Sequence, residues 1–101
     1  MKIIHREDDI IRWSKDRHII QNSSALAQSI KTLEEVTELV SGCHDNNKDE
    51  IRDAIGDVVV TLVNVAAISN LSMIECIEAA WNEIKDRKGY LNSQGIFVKE
   101  E

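Results

Sequence analysis

Apolar residues recur at intervals of three and four along most of the chain, the spacing that lines one face of an α-helix. The first such stretch runs roughly from Glu7 to Ile19, where Ile10, Ile11 and Trp13, followed by Ile19 and Ile20, supply the apolar contacts. Asn22, Ser23 and Ser24 then offer N-caps for a second helix. In it Leu26, Ile30, Leu33, Val36 or Thr37, and Val40 recur with the period of one buried face, and Glu34, Glu35 and Glu38 flank that face. The polar stretch 42-GCHDNNKDE-50 interrupts the pattern, with Gly42 as the expected C-cap and Asn46 or Asn47 starting the next turn.

A third helix is predicted from Asp49 to about Asn70. Its centre, 58-VVVTLVNV-65, is β-branched enough to resemble a strand, but the apolar run is too long for one and no turn residue breaks it. A helix apolar on most sides must be buried, and in so short a chain that implies burial against other subunits. The segment 72-SMIE-75 fits a capping box opening a fourth helix to about Lys88, with Ile74, Ile77, Trp81 and Ile84 as its core face. Beyond Gly89, 90-YLNSQGIFVKEE-101 predicts a short hairpin or an extended tail, because Asn92 to Gly95 places turn residues between short apolar runs. The pattern as a whole describes an all-α, four-helix domain spanning residues 1–101.

Composition sharpens this picture. The chain has 101 residues, no proline and four glycines, near the lower end of what buries a self-sufficient core, so oligomerisation is expected. No apolar run is long enough to span a bilayer and no basic segment precedes an apolar one, which points to a soluble cytoplasmic protein without a membrane partner. A net charge of −6 argues against a nucleic-acid surface, since phosphate backbones are bound by Lys and Arg. Cys43 and Cys76 lack metal-site spacing and read as reduced thiols.

The acids are the anomaly. Glu34, Glu35 and Glu38 form one helical cluster, and Glu50, Asp53 and Asp57 form a second at the head of the most hydrophobic helix. Like charges at this spacing cost about 0.2–0.5 kcal/mol per pair, more where water is excluded. Lysines or arginines could compensate, as could hard divalent metals, which prefer oxygen ligands and keep positions free for water and phosphate. If the second and third helices pack antiparallel, the two clusters meet and can share one or two ions. The helix dipole alone would account for Asp49, Glu50 and Asp53. Asp57 is the acid it explains least, because an unpaired carboxylate beside Val58, Val59 and Val60 is costly.

At these residues the chain resembles the MazG-like nucleoside triphosphate pyrophosphohydrolases, of the all-α NTP pyrophosphatase superfamily. The likeness lies in 34-EEVTEL-39, 53-DAIGDVVVTLVNVA-66 and 82-NEIKDRKG-89, in family order. The flanking 13-WSKDRHI-19 and 95-GIFVKEE-101 are similar to short stand-alone members often encoded by phages. The resemblance implies a four-helix MazG fold assembled as a homodimer or homotetramer. It also implies that Mg2+, with Mn2+ as the alternative, serves to hydrolyse an NTP or dNTP to the monophosphate and pyrophosphate.

The family's metal-binding acids follow the pattern ExxE then ExxD. Glu35 and Glu38 match the first half and Asp57 the last acid, whereas position 54 carries Ala54 where the family has glutamate. Asp53 or Glu50 is the expected substitute, and Glu34 is either a further ligand or the group that polarises the attacking water. Lys85, Arg87 and Lys88 are candidates for phosphate contacts and Asn82 for orienting substrate, although bases at a helix C-terminus also complement its dipole. Trp13 is a candidate for stacking on the base, while the spacing of Trp81 favours packing. Ala54 also motivates a second reading, a nucleotide-sequestering module on the same scaffold with little or no turnover.

Overall fold

The computed structural model describes residues 5–100, so the ends of the expected domain, residues 1–4 and 101, lie outside the described residues. Five helices, α1 (Glu7–Asp16), α2 (Ile19–Asn22), α3 (Ala25–His44), α4 (Lys48–Ile68) and α5 (Met73–Ile84), precede strands β1 (Gly89–Leu91) and β2 (Phe97–Lys99). The chain is all-α apart from this terminal hairpin. The predicted first helix ends at Asp16, because His18 takes a left-handed backbone (φ 63°) that separates α1 from α2.

Local signals set the helix ends. The Ser24 side chain accepts from Ala27 N–H at 3.0 Å to start α3, and Asn47 Oδ1 accepts from Glu50 N–H at 3.1 Å to start α4. The Ser72–Glu75 capping box opens α5. Gly42 does not cap α3 as its sequence position suggested. The helix continues to His44 and ends at Asn46, whose positive φ (53°) lets Asn46 N–H reach the Cys43 carbonyl and Asn47 N–H the Gly42 carbonyl. Gly42 instead lies buried against α4, where an added Cβ would sit 3.3 Å from Glu50 Cγ and from Ile51 N. Helix α5 stops at Ile84, short of Lys88, and diverges from α4 by 100°.

Helices α3 and α4 form an antiparallel hairpin that is the body of the fold. The β-branched run stays helical because packing outweighs propensity: Ala54, Thr61, Val63, Asn64 and Ala66 are all buried along α4. Full burial of a side chain such as Val63 contributes roughly 1.5–3 kcal/mol. Helices α1 and α2 also pack on α4, and Glu7 clasps the start of α5 by accepting from Met73 N–H at 2.7 Å.

One expectation is overturned. The stripe Leu26, Ile30, Leu33 and Val40, predicted to be the buried face of α3, points outward. Ala25, Gln28, Thr32, Glu35, Leu39 and Gly42 face inward instead. Most of this inner stripe is small or polar, and Thr32 and Gln28 hydrogen-bond to Thr61 and Asn64 on α4. The predicted core face of α5 is likewise outward, with Ile74, Trp81 and Ile84 all exposed. The hairpin prediction holds. Tyr90 pairs with Val98 and Leu91 with Phe97, and the Asn92 side chain accepts from Gln94 N–H and Ile96 N–H across the turn. No single helix among the described residues is long and apolar enough to cross a membrane.

Candidate metal and nucleotide site

Because α3 and α4 run antiparallel in close register, residues far apart in sequence stand level with each other. Gln28 meets Asn64, Thr32 meets Thr61, and Glu35 meets Asp57. Glu38 follows Glu35 by nearly one turn, so three carboxylates converge, with one oxygen from each of Glu35, Glu38 and Asp57 lying within 4.8 Å of the other two. At an effective dielectric of ~20, two carboxylates at that distance repel by about 3 kcal/mol.

Lys31 offsets part of this charge. Its ammonium lies 3.1 Å from Glu34 Oε2 and 3.5 Å from Glu35 Oε1. The hydrogen bond and negative charge of Glu34, reinforced by Glu35, hold the Lys31 pKa above the ordinary lysine value, so it stays protonated. The other oxygen of Glu35, Oε2, is buried without a hydrogen-bond partner among the described residues. A buried carboxylate oxygen is rarely left so, because its desolvation has nothing to offset it.

The donor set fits a hard divalent cation. Three carboxylates suit Mg2+ or Mn2+ better than a softer ion. Oxygens that all lie within 4.8 Å of one another are close enough together to share an ion with metal–oxygen bonds of ~2.1 Å. An ion here would take up the orphaned Glu35 oxygen. Glu50 and Asp53 are not part of this group: Glu50 packs against Gly42 toward the loop, and Asp53 is exposed on α4. Ala54, buried on the inner face, stands level with Glu38 by the same register.

Two clefts adjoin Asp57, each of about 430 Å3, within the size range of small-molecule sites. One is apolar, walled by Ile10, Trp13 and Val60, with Asp9 and Asp57 at its edge. The Arg17 guanidinium lies over the Trp13 ring at 4.1 Å from the centroid, which fixes the plane of the indole. The other mixes apolar walls, Ile19 and Val60, with the polar side chains of Gln28, Lys31, Glu35 and Asn64.

Asn64, odd inside an apolar run, joins three helices: it accepts from Ser14 Oγ at 2.6 Å and donates to Gln28 Oε1 at 3.1 Å. Sequence reasoning missed Gln28 and Lys31. The signal available was a second stripe on α3, at 25, 28, 32, 35, 39 and 42, spaced as regularly as the leucine stripe. Asn82, Lys85, Arg87 and Lys88 line neither of the clefts at Asp57. Arg87 and Lys88 border a separate groove with Lys99 and Glu100, and Arg87 lies 3.7 Å from Glu83.

The α3–α4 hairpin thus brings three carboxylates together beside two clefts. Residues 21–91 match the family model of the MazG nucleotide pyrophosphohydrolase domain, and the chain belongs to that family. It is also similar to an uncharacterized 18.2 kDa protein from the rep-hol intergenic region of Haemophilus phage HP1 (strain HP1c1), with 36% identity over 66 residues. That match covers 65% of this chain and 40% of the phage protein. No solved structure matches the chain.

Proposed function

We propose that this chain, as a single domain over residues 1–101, hydrolyses a nucleoside or deoxynucleoside triphosphate of the cytoplasmic pool to the monophosphate and pyrophosphate. The observation that carries this reading is the orphaned Glu35 oxygen within the three-carboxylate group, beside an apolar cleft walled by an aromatic ring. Glu35, Glu38 and Asp57 would hold Mg2+, or Mn2+ in its place. The ion supplies charge neutralisation for the triphosphate and a bound water of lowered pKa.

The protein's own groups do the rest. Trp13, fixed by Arg17, stacks on the base, and Ile10 and Val60 keep water from it. Glu34, held by Lys31 at the rim, accepts the proton of the attacking water as the bond between the α- and β-phosphates breaks. Asp53 and Glu50, farther along α4, are the candidates for a second ion at the loop end. Asn82, Lys85, Arg87 and Lys88 contact phosphate oxygens from a neighbouring subunit of a homodimer or homotetramer, which accounts for their absence from the clefts of their own chain.

The test is incubation with each common NTP and dNTP, with Mg2+ and with chelator, measuring pyrophosphate and monophosphate together. Equimolar, Mg2+-dependent release of both is expected. Release of inorganic phosphate alone would overturn the assigned bond. Binding without release would favour the sequestering reading, which rests on Ala54 occupying an acidic position of the family pattern.

Ala54→Glu separates these readings further. Its carboxylate would enter a buried position beside Glu38, so the variant should unfold at a lower temperature in chelator and be restabilised by Mg2+ more than the parent. Thermal unfolding with and without the ion decides it, and an equal Mg2+ response in both proteins would sever position 54 from the site.

A further inference from the structure

Among the described residues, Lys31 is the only cation in contact with the three-carboxylate group, which it reaches through Glu35. Its own helix gives little reason for a lysine there. Lys31 lies in the first half of α3 and precedes both of its acids, Glu34 by three residues and Glu35 by four. A helical ion pair is weaker in this order, because the helix dipole favours the base nearer the C-terminus. Lys31 is also the only cation among the described residues that line the mixed cleft, beside Gln28, Glu35, Asp57 and Thr61. Its side chain is half-exposed, so packing does not pin it in one rotamer.

The two contacts of the ammonium are unequal. Lys31 Nζ donates a hydrogen bond to Glu34 Oε2 at 3.1 Å. Glu35 Oε1, at 3.5 Å, lies beyond ordinary hydrogen-bond length and is held by charge alone. An ammonium has three N–H donors, so Lys31 can keep Glu34 while another N–H turns from Glu35 into the cleft. A divalent ion held by Glu35, Glu38 and Asp57 would favour that turn, since it cancels the charge of Glu35 and repels the ammonium. The oxygens of a triphosphate in the cleft would then give Lys31 a charged acceptor in place of the one it leaves.

We propose that Lys31 couples the binding of ion and triphosphate: it is the counter-charge of Glu35 in the absence of the ion, it opposes the bare ion, and it donates to a phosphate oxygen when both are bound. This deepens the pyrophosphohydrolase reading and rests on its ion site. One side chain then weakens the first ligand and strengthens the second, and the site favours the ion and triphosphate together over the ion alone. A lysine that only supported the helix would not act with opposite sign on the two.

The experiment compares the full chain with Lys31→Met, which keeps an unbranched stem and removes the charge, and with Lys31→Arg, which restores the charge. Mn2+ is titrated calorimetrically into each protein without nucleotide, and inorganic triphosphate is then titrated at saturating Mn2+. Lys31→Met should bind Mn2+ about 3- to 5-fold more tightly, the scale of one lost exposed charge pair. It should bind triphosphate about 10-fold more weakly, the scale of one lost hydrogen bond between charged groups. Lys31→Arg should lie near the parent in both titrations.

Circular dichroism checks that helix content is kept, and should Lys31→Met fail to fold, Lys31→Gln is expected to give the same two shifts. A parent that binds no Mn2+ overturns the ion site itself. A parent that binds Mn2+ but no triphosphate overturns only the coupling. So does a charge-removing variant whose Mn2+ affinity is unchanged or weakened, or whose triphosphate affinity is unchanged.

Discussion

Glu35→Gln is expected to lower pyrophosphate release by about 10^2–10^3-fold, the scale seen when one preorganised electrostatic group is removed from an active site. The same variant should be at least as stable as the parent in chelator. Glu35 is the most enclosed of the three carboxylates, with its side chain 12% exposed, and one of its oxygens has no hydrogen-bond partner among the described residues. Neutralising it removes repulsion from Glu38 and Asp57 at the loss of a 3.5 Å contact with Lys31. A residue whose loss abolishes activity but leaves the unliganded fold unharmed is held in place by what it binds. Thermal unfolding should also show the Mg2+-induced rise of the parent largely gone. Activity within a few-fold of the parent would remove Glu35 from the ligand set, and a large drop in stability in chelator would make its role structural.

Asn64→Ala is expected to act in the opposite way, on stability first. Asn64 is 3% exposed and bridges α1 to α3 from the C-terminal part of α4. Its truncation leaves the fully buried Ser14 hydroxyl without an acceptor and Gln28 Oε1 without a donor. At roughly 1–3 kcal/mol per stranded buried group, a loss of about 2–4 kcal/mol follows. For a domain of this size that corresponds to a fall in Tm of at least ~8 °C. Adding Ser14→Ala should recover part of the loss, because one of the stranded groups is then gone. An additive double variant would show that the Ser14–Asn64 hydrogen bond contributes little. Since Ser14 adjoins Trp13, a weakened α1 should also raise KM more than it lowers kcat.

Much of the fold was legible because its signals are local. Ser24, Asn47 and the Ser72–Glu75 pair act within one helical turn, so their sequence positions suffice. The convergence of Glu35, Glu38 and Asp57 was also legible, since a short loop between two helices leaves them little choice but to pack antiparallel. The inner face of α3 was not. Periodicity reports that a stripe avoids water and says nothing of what covers it, and α3 carries two stripes of nearly equal regularity. The leucine-rich one drew the assignment, yet α4 takes the polar one, because Thr61 and Asn64 need partners that leucine cannot supply. Gly42 misled for a related reason. A glycine near a helix end usually relieves backbone strain, but this one makes room for Glu50 and Ile51, a contact with no local trace.

The loop between α3 and α4 is only residues 45–47, and its shortness bears on how the protein reaches its native state. The contacts that bring the three carboxylates together are made within one helical hairpin, so the chain closes only a small loop to assemble them, and such topologies fold fast. The acids oppose that closure, since Glu35, Glu38 and Asp57 approach one another as the hairpin zips from the loop outward. The folding barrier is therefore expected to contain an electrostatic component that ordinary salt lowers and, on the proposed reading, a divalent cation lowers further. On the proposed metal reading, refolding is expected to run faster with Mg2+ present than in chelator, so that capture of the ion would be a step of folding rather than a sequel to it.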